Sequence, residues 1–410
     1  MMNQNTQAAP QSSWGAILLI YAIGVLGATS ISQVVPIVGD LGKAFHLSRP
    51  QGGWVISTPS AVVALGALLF GWLVDKFGDK PMLLSGCAVL VLGDLGVTLA
   101  SSVEMLYAMR VLEGIGYVAI AVAAVTMLTR TTQGARRTSA LTLWSSFVPM
   151  SFALPLILAA QLAGTGQWRW AFTGHGIALA ALGIAAWALL PTPAPARTAM
   201  RTAGLATVVR SPSPYLLGLA FACGAFMQTG VVSTLPHMLS GRFGVSLGLA
   251  SSIGTLGMIF NTIGALAVGP LLNRGTGALT VSVLGVLLAL IGGIALYVPG
   301  PAFALAATAS SVFFLGTGVI VGLWALLPRV APKPSCVGAT SGLVTQIVLW
   351  GVLFGPPAAF AAAASGDWTR PVANIVIGGL ACLLLLWLVV RRIRSSDTAD
   401  GSAPLVQAAH

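Results

Sequence analysis

Twelve long apolar runs follow one another along this chain, at roughly 14–38, 50–74, 81–101, 104–127, 139–163, 169–190, 214–238, 247–270, 277–297, 301–327, 338–362 and 370–390. A membrane-spanning helix needs about 20 mostly apolar residues, so each run is long enough to cross a bilayer. The breaks between runs carry turn and charge signals: Ser48-Arg49-Pro50, Ala135-Arg136-Arg137, Pro299-Gly300-Pro301 and Gly366-Asp367. The pattern predicts an all-α membrane protein of twelve transmembrane helices. The sixth run ends at Pro191, and the Thr/Pro/Ala-rich stretch that follows is the longest connection. This division predicts a six-helix bundle over 1–190, a linker over 191–213, a second six-helix bundle over 214–392 and a polar tail over 393–410.

Composition agrees with the pattern. The chain is 56% hydrophobic and 7% charged, against roughly 25% charged residues in soluble domains. No soluble fold of 410 residues covers its surface with so few charges. Residues 1–13 hold no Lys or Arg, so the first apolar run is expected to be a retained helix and not a secretory signal. Fourteen of the 20 Lys and Arg fall on one set of connections and tails, against five on the opposite set and Arg110 inside a run. Basic residues collect on the cytoplasmic side, which predicts that both termini are cytoplasmic. The net charge of +11 is thereby an orientation signal, and no nucleic-acid partner is expected. Cys87, Cys223, Cys336 and Cys382 are scattered, with no metal or disulfide spacing.

Between the second and third runs lies Gly71-Trp72-Leu73-Val74-Asp75-Lys76-Phe77-Gly78-Asp79-Lys80. Asp75 ends one helix, where it can accept hydrogen bonds from a neighbouring helix N-terminus. Gly71 permits close helix packing, Gly78 a backbone turn with positive φ, and Lys76 and Lys80 hold the loop on the cytoplasmic side. Read as G-x-L-x-D-[KR]-x-G-x-[KR], the stretch resembles the loop between helices 2 and 3 of the major facilitator superfamily of transporters. A degenerate copy, Gly269-Pro270-Leu271-Leu272-Asn273-Arg274-Gly275, falls at the matching place in the second half, with Asn273 for the aspartate. The resemblance implies two pseudo-symmetric six-helix bundles with the substrate site between them. It also implies a bacterial inner-membrane carrier working as a monomer without a cofactor.

Ionisable residues at membrane depth are costly and are functional candidates by default. Arg110, Glu113, Gly114 and Gly116 resemble the superfamily's fourth-helix motif R-x-x-x-G-x-G, whose arginine is linked to substrate or proton coupling. Arg110 and Glu113 are three apart and share a helix face. Asp94, in the third run, lies at a similar depth to Arg110. A carboxylate poised between burial and a nearby arginine can load and release a proton, so Arg110, Glu113 and Asp94 form the expected coupling network, with Glu113 preferred as the proton carrier. The same group also reads as a static ion pair locking helices 3 and 4. His237 is expected to be interfacial. His175 is expected to be structural, because sixth-helix residues usually lie outside in the implied fold.

The resemblance places helices 1, 4, 7 and 10 around a central cavity, flanked by 2, 5, 8 and 11. The polar and aromatic candidates there are Tyr21 and Gln33 on the first helix, Trp144 on the fifth, and Phe226 and Gln228 on the seventh. The later helices contribute Asn261, Trp324, Gln346 and Trp350. Apolar walls with a few polar groups suit a small organic solute. Arg110, the one arginine inside a run, is expected to attract an anionic group such as a carboxylate.

Drug/proton antiporters of the superfamily tend to carry G-P-x-x-G-G in the fifth helix, and this chain keeps only the proline in Val148-Pro149-Met150-Ser151-Phe152-Ala153. The leading expectation is therefore proton-coupled uptake of an organic acid or similar metabolite by alternating access. Proton-coupled efflux of an amphiphilic compound or drug is the alternative. Scattered His and Cys give no enzyme site, and no nucleotide-binding loop is present.

Overall fold

A computed structural model describes residues 12–191, 202–297, 302–333 and 336–399. Most of the expected linker, 192–201, and the end of the tail, 400–410, lie outside the described residues.

Among the described residues the elements are helices and irregular turns. The first span is broken into α1 (Trp14–Ser32) and α2 (Val34–Ala44). The break falls at Gln33 because Pro36 has no N–H to offer the Ser32 carbonyl. Then come α3 (Arg49–Phe77), α4 (Asp79–Thr98) and α5 (Val103–Thr131). The fifth span is α6 (Gly134–Ser145), α7 (Phe147–Leu158) and a 3₁₀ turn at Ala159–Leu162; the sixth is α8 (Arg169–Leu189). A short α9 (Thr202–Arg210) leads into the second half, α10 (Pro212–Phe243), α11 (Leu247–Asn273) and α12 (Ala278–Tyr297). The tenth span joins α13 (Phe303–Val319), a 3₁₀ stretch at Ile320–Leu326 and α14 (Leu327–Val330). Last are α15 (Val337–Ala362) and α16 (Val372–Ala399). The twelve apolar runs thus map one to one onto helical spans, ten of them long and apolar enough by themselves to cross a bilayer. Serine side chains cap the first turns of α1, α3, α5 and α11.

The two halves share a packing device. Gly116 of α5 lies so close to α4 that an added Cβ would fall 2.6 Å from the Leu90 backbone nitrogen. Gly316 of α13 lies equally close to Ala289 of α12. Helices 3–4 and 9–10 are therefore locked by the same small-residue approach, which substitutes for hydrophobic driving force inside a bilayer.

Two faces of the bundle differ. The face with the 78, 132–133, 274–277 and 331–336 connections carries most of the cations and is called the basic face here. The halves join along α3 with α15, α7 with α11, and α2 with α10. These contacts cluster toward the opposite face. Gly53 abuts the Pro356–Pro357 backbone, Trp54 meets Phe354 edge-on at 6.0 Å, and Arg49 donates to the Ala363 carbonyl while stacking over Trp368. The basic-face segments α6 and α14 pack within their own halves. The halves are thus in direct contact at the opposite face.

Candidate functional site: a buried charge cluster between α4, α5 and α8

The cluster begins with a proline. Pro59 lies inside α3 and cannot donate to the Val55 carbonyl four residues earlier. Arg110 Nε of α5 donates to that carbonyl instead, at 2.9 Å, and Arg110 Nη2 reaches the Ile56 carbonyl at 3.4 Å. Gly114 permits this approach, since a Cβ there would collide with the Pro59 carbonyl. One turn along α5, Glu113 Oε2 accepts from Arg110 Nη1. Both side chains are 0% exposed.

Glu113 projects across Gly93 of α4, where only a hydrogen leaves room, and so meets the carboxyl of Asp94. Glu113 Oε1 has no donor. Asp94 Oδ1 accepts from Gln33 Nε2 at 3.2 Å, and its Oδ2 faces His175 Nδ1 at 2.8 Å. His175 Nε2 lies 2.8 Å from the Leu26 carbonyl. A carbonyl only accepts, so Nε2 carries a hydrogen. The bond between Nδ1 and Oδ2 then needs a second hydrogen, either on the imidazole or on the carboxyl. With that proton present, Arg110, Glu113, Asp94 and His175 sum to zero charge. This is the state a dry interior tolerates best. A further proton has an obvious acceptor in the donor-less Glu113 Oε1 beside Asp94.

Several expectations change. His175, expected to be structural, is the hydrogen-bond partner of Asp94. The glycine beside it, Gly176, lets α8 approach, with an added Cβ 3.3 Å from Asp94 Cβ. Gln33 belongs to this cluster and not to a central cavity. Each guanidinium nitrogen of Arg110 already donates and the side chain is 0% exposed, so it presents no open fork to a substrate carboxylate. Asn261 donates to the Phe314 carbonyl and to Thr317 Oγ1, tying α11 to α13. Gln346 crosses the seam to the Ala64 carbonyl at 2.9 Å. Phe226 turns into the packing between α10, α15 and α16. Trp350 stacks on Phe354 and is exposed at the seam.

The other expected cavity residues have largely apolar and aromatic neighbours. Tyr21 OH bonds Ser146 Oγ at 2.9 Å. Trp144 fills the space over Gly24 and stacks on Phe147 at 4.4 Å. Trp324 packs on Phe221, and Gln228 is half-buried on α10.

On the basic face, Arg130 at the end of α5 bridges Asp75 (2.6 Å) and Asp79 (2.7 Å). Asp75 thus takes an arginine and not a helix N-terminus. Gly78 turns the chain at φ 95°, Lys80 donates to the Leu190 carbonyl, and Lys76 lies over Trp72 and Phe77. Gly71 is not a close-packing point, because an added Cβ would meet nothing. Asn273 and Arg274 are exposed.

The sequence matches the profile of the Major Facilitator Superfamily over residues 17–356. The chain belongs to that superfamily. Its members are carriers and not enzymes, so this is a multi-pass membrane transporter. A chloramphenicol resistance protein of Pseudomonas aeruginosa is 26% identical over 249 residues, 60% of this chain and 59% of that protein. The arabinose-proton symporter of Escherichia coli K12 is 30% identical over 146 residues, 36% of this chain and 31% of the symporter. These alignments span between about a third and three-fifths of the relatives' lengths. Among solved structures, a bacterial homolog of the human lysosomal transporter Spinster, inward-facing and unoccupied, superposes with a TM-score of 0.77 at 16% identity, covering 93% of this chain and 97% of that one. The likeness is one of fold.

Proposed function

We propose that this carrier exports a small neutral or amphiphilic organic solute in exchange for protons, with Glu113, Asp94 and His175 as the proton site. The observation that carries the reading is the cluster itself. It is sealed from water, needs at least one proton to complete its hydrogen bonds, and leaves Glu113 Oε1 open to another. Buried networks of this kind are held by a membrane protein at a cost, and proton relays are a main reason to hold them. Engagement of Arg110 by Glu113 and two α3 carbonyls removes the argument for an organic-acid substrate. The aromatic character of the expected cavity residues Tyr21, Trp144 and Trp324 favours an apolar or amphiphilic solute. The similarity to a chloramphenicol resistance protein supports export.

The cation distribution supports a cytoplasmic basic face with both chain ends on it, in the inner membrane of a bacterium. The contact between the halves at the opposite face then leaves the solute path open toward the cytoplasm. Uptake by proton symport is the second reading, favoured by the match to an arabinose-proton symporter.

Proteoliposomes holding a pH-sensitive dye test both. Chloramphenicol, arabinose and a panel of organic acids are added outside in turn. Exchange alkalinises the lumen as solute enters, whereas symport acidifies it. Glu113→Gln is expected to abolish either response. Solute movement with no proton movement, alike in the parent protein and Glu113→Gln, would overturn the coupling role. A response to organic acids alone would restore the acid-uptake reading.

A further inference from the structure

A second site lies on the membrane-facing side of the cluster. α7 and α8 each pack on α1, and between them a crevice of about 290 Å³ opens, floored by Leu26, Thr29, Gln33 and His175. Its walls are Leu154, Pro155 and Leu158 on one side and Ala171, Gly174 and Ala178 on the other. Leu158 and Trp170 stand at its mouth, 62% and 63% exposed, on a surface whose surroundings are lipid. Small-molecule pockets run from roughly 300 Å³ upward, mostly apolar with few polar groups.

One floor atom lacks a partner. Gln33 is 2% exposed, its Nε2 is committed to Asp94, and its Oε1 has no donor. Gln33 lines the crevice, and a small turn of its side chain would let its donor-less amide oxygen take a hydrogen bond from within it. An acyl chain fills such walls but leaves Oε1 unpaired.

We propose that the α1–α7–α8 crevice binds a small amphiphile taken from the bilayer, with an apolar body against α7 and α8 and a single donor head, hydroxyl, amide or amine, on Gln33 Oε1. Through Gln33 that head lies two hydrogen bonds from Asp94 and three from His175, so its arrival and departure alter the groups that hold the proton. This coupling role rests on the transport reading above; the binding does not.

The photoreactive alcohol 3-azioctanol tests the site on the full chain in nanodiscs, with its methyl ether as a donor-less control. Cross-links are expected within Leu154–Leu162 and Trp170–Ala178. The ether, and the variant Gln33→Leu, are each expected to label about tenfold less, the worth of one buried hydrogen bond. Gly174→Leu supplies a variant that leaves the cluster untouched. An added Cβ at Gly174 meets nothing, so the side chain fills the crevice without straining the fold, and labelling is expected to fall by a similar factor. Equal labelling by alcohol and ether would overturn the proposal and mark a plain lipid groove. Labelling outside the crevice, or unchanged in Gly174→Leu, would overturn it as well. The measurement uses no gradient. Proton flux without crevice labelling therefore removes this inference alone, and labelling without flux removes the transport reading alone.

Discussion

The Arg110–Glu113 pair can be tested by a double-mutant cycle whose size follows from burial. Arg110→Met strands Glu113 at zero exposure and leaves the Val55 carbonyl, already orphaned by Pro59, without a donor. Breaking a buried pair by removing one partner costs about 3–5 kcal/mol. Glu113→Leu strands Arg110 instead, with Asp94 as the next carboxylate, again at about 3–5 kcal/mol. The double variant removes both charges, and what stays lost is chiefly the donor to Val55, about 1–3 kcal/mol. The coupling energy is therefore at least about 3 kcal/mol, near the top of the range for residues in contact. Sodium dodecyl sulfate unfolding of detergent-solubilised protein, followed by tryptophan fluorescence, reads all four corners. The double variant is expected to be folded, more stable than either single, and uncoupled from protons. Additive losses would refute the view that the two side chains hold each other. Proton-coupled flux in the double variant would refute the assignment of the proton site.

Two further outcomes follow from the connections. Arg130→Ala leaves Asp79, 2% exposed, without its partner and is expected to cost about 3 kcal/mol, whereas Asp75→Asn, at a side chain 37% exposed, is expected to cost less than about 1 kcal/mol; the same unfolding assay separates them. Arg49→Gln loses the bond to Ala363 and the stacking over Trp368. Losing about 1–2 kcal/mol from one state moves a two-state population roughly five- to thirtyfold. The shift appears as faster maleimide labelling of Val38→Cys from the opposite face in a background without the native cysteines.

The spans were legible because each is an uninterrupted apolar run closed by charge, proline or glycine, and the fourth-helix motif led directly to Arg110 and Glu113. Asp94 was reachable from depth alone. The partners were not. His175 looks peripheral from helix order, and only the close approach of α8 at Gly176 brings its ring to Asp94. A histidine flanked by glycines in an apolar run is the signal for such an approach. Gln33 is aimed by a helix break that Pro36 forecasts, yet its target lies 61 positions away. Asn261 and Gln346 were expected in the cavity because an unpaired amide in lipid is expensive. The cost is met by helix backbone, across α11–α13 and across the seam, and no sequence pattern separates that solution from a substrate site. Gly71 matched a motif whose packing partner is absent at that position among the described residues.

The proposed proton site lies in the first half alone. Between 214 and 392 the sole acidic residue is Asp367, in the connection before α16. Buried side-chain pairs described in the second half include the neutral Asn261 with Thr317 and Thr234 with Tyr297. On the proposed coupling, the route from Glu113 to the seam runs along α3, where Arg110 holds the Val55 carbonyl while Trp54 meets Phe354 and Gly53 abuts Pro357. Three successive residues thus join the proton site to the contact between halves, and Pro59 is what frees Val55 to serve. Pro59→Ala restores an N–H for that carbonyl and makes the Arg110 bond redundant. A proline inside a helix costs about 3 kcal/mol, so the variant is expected to be at least as stable as the parent and to move solute. Its proton-to-solute ratio in proteoliposomes is expected to fall well below that of the parent. An unchanged ratio would show that the signal does not pass through α3, and would leave α2, which begins after Gln33, as the route from Asp94 to the seam.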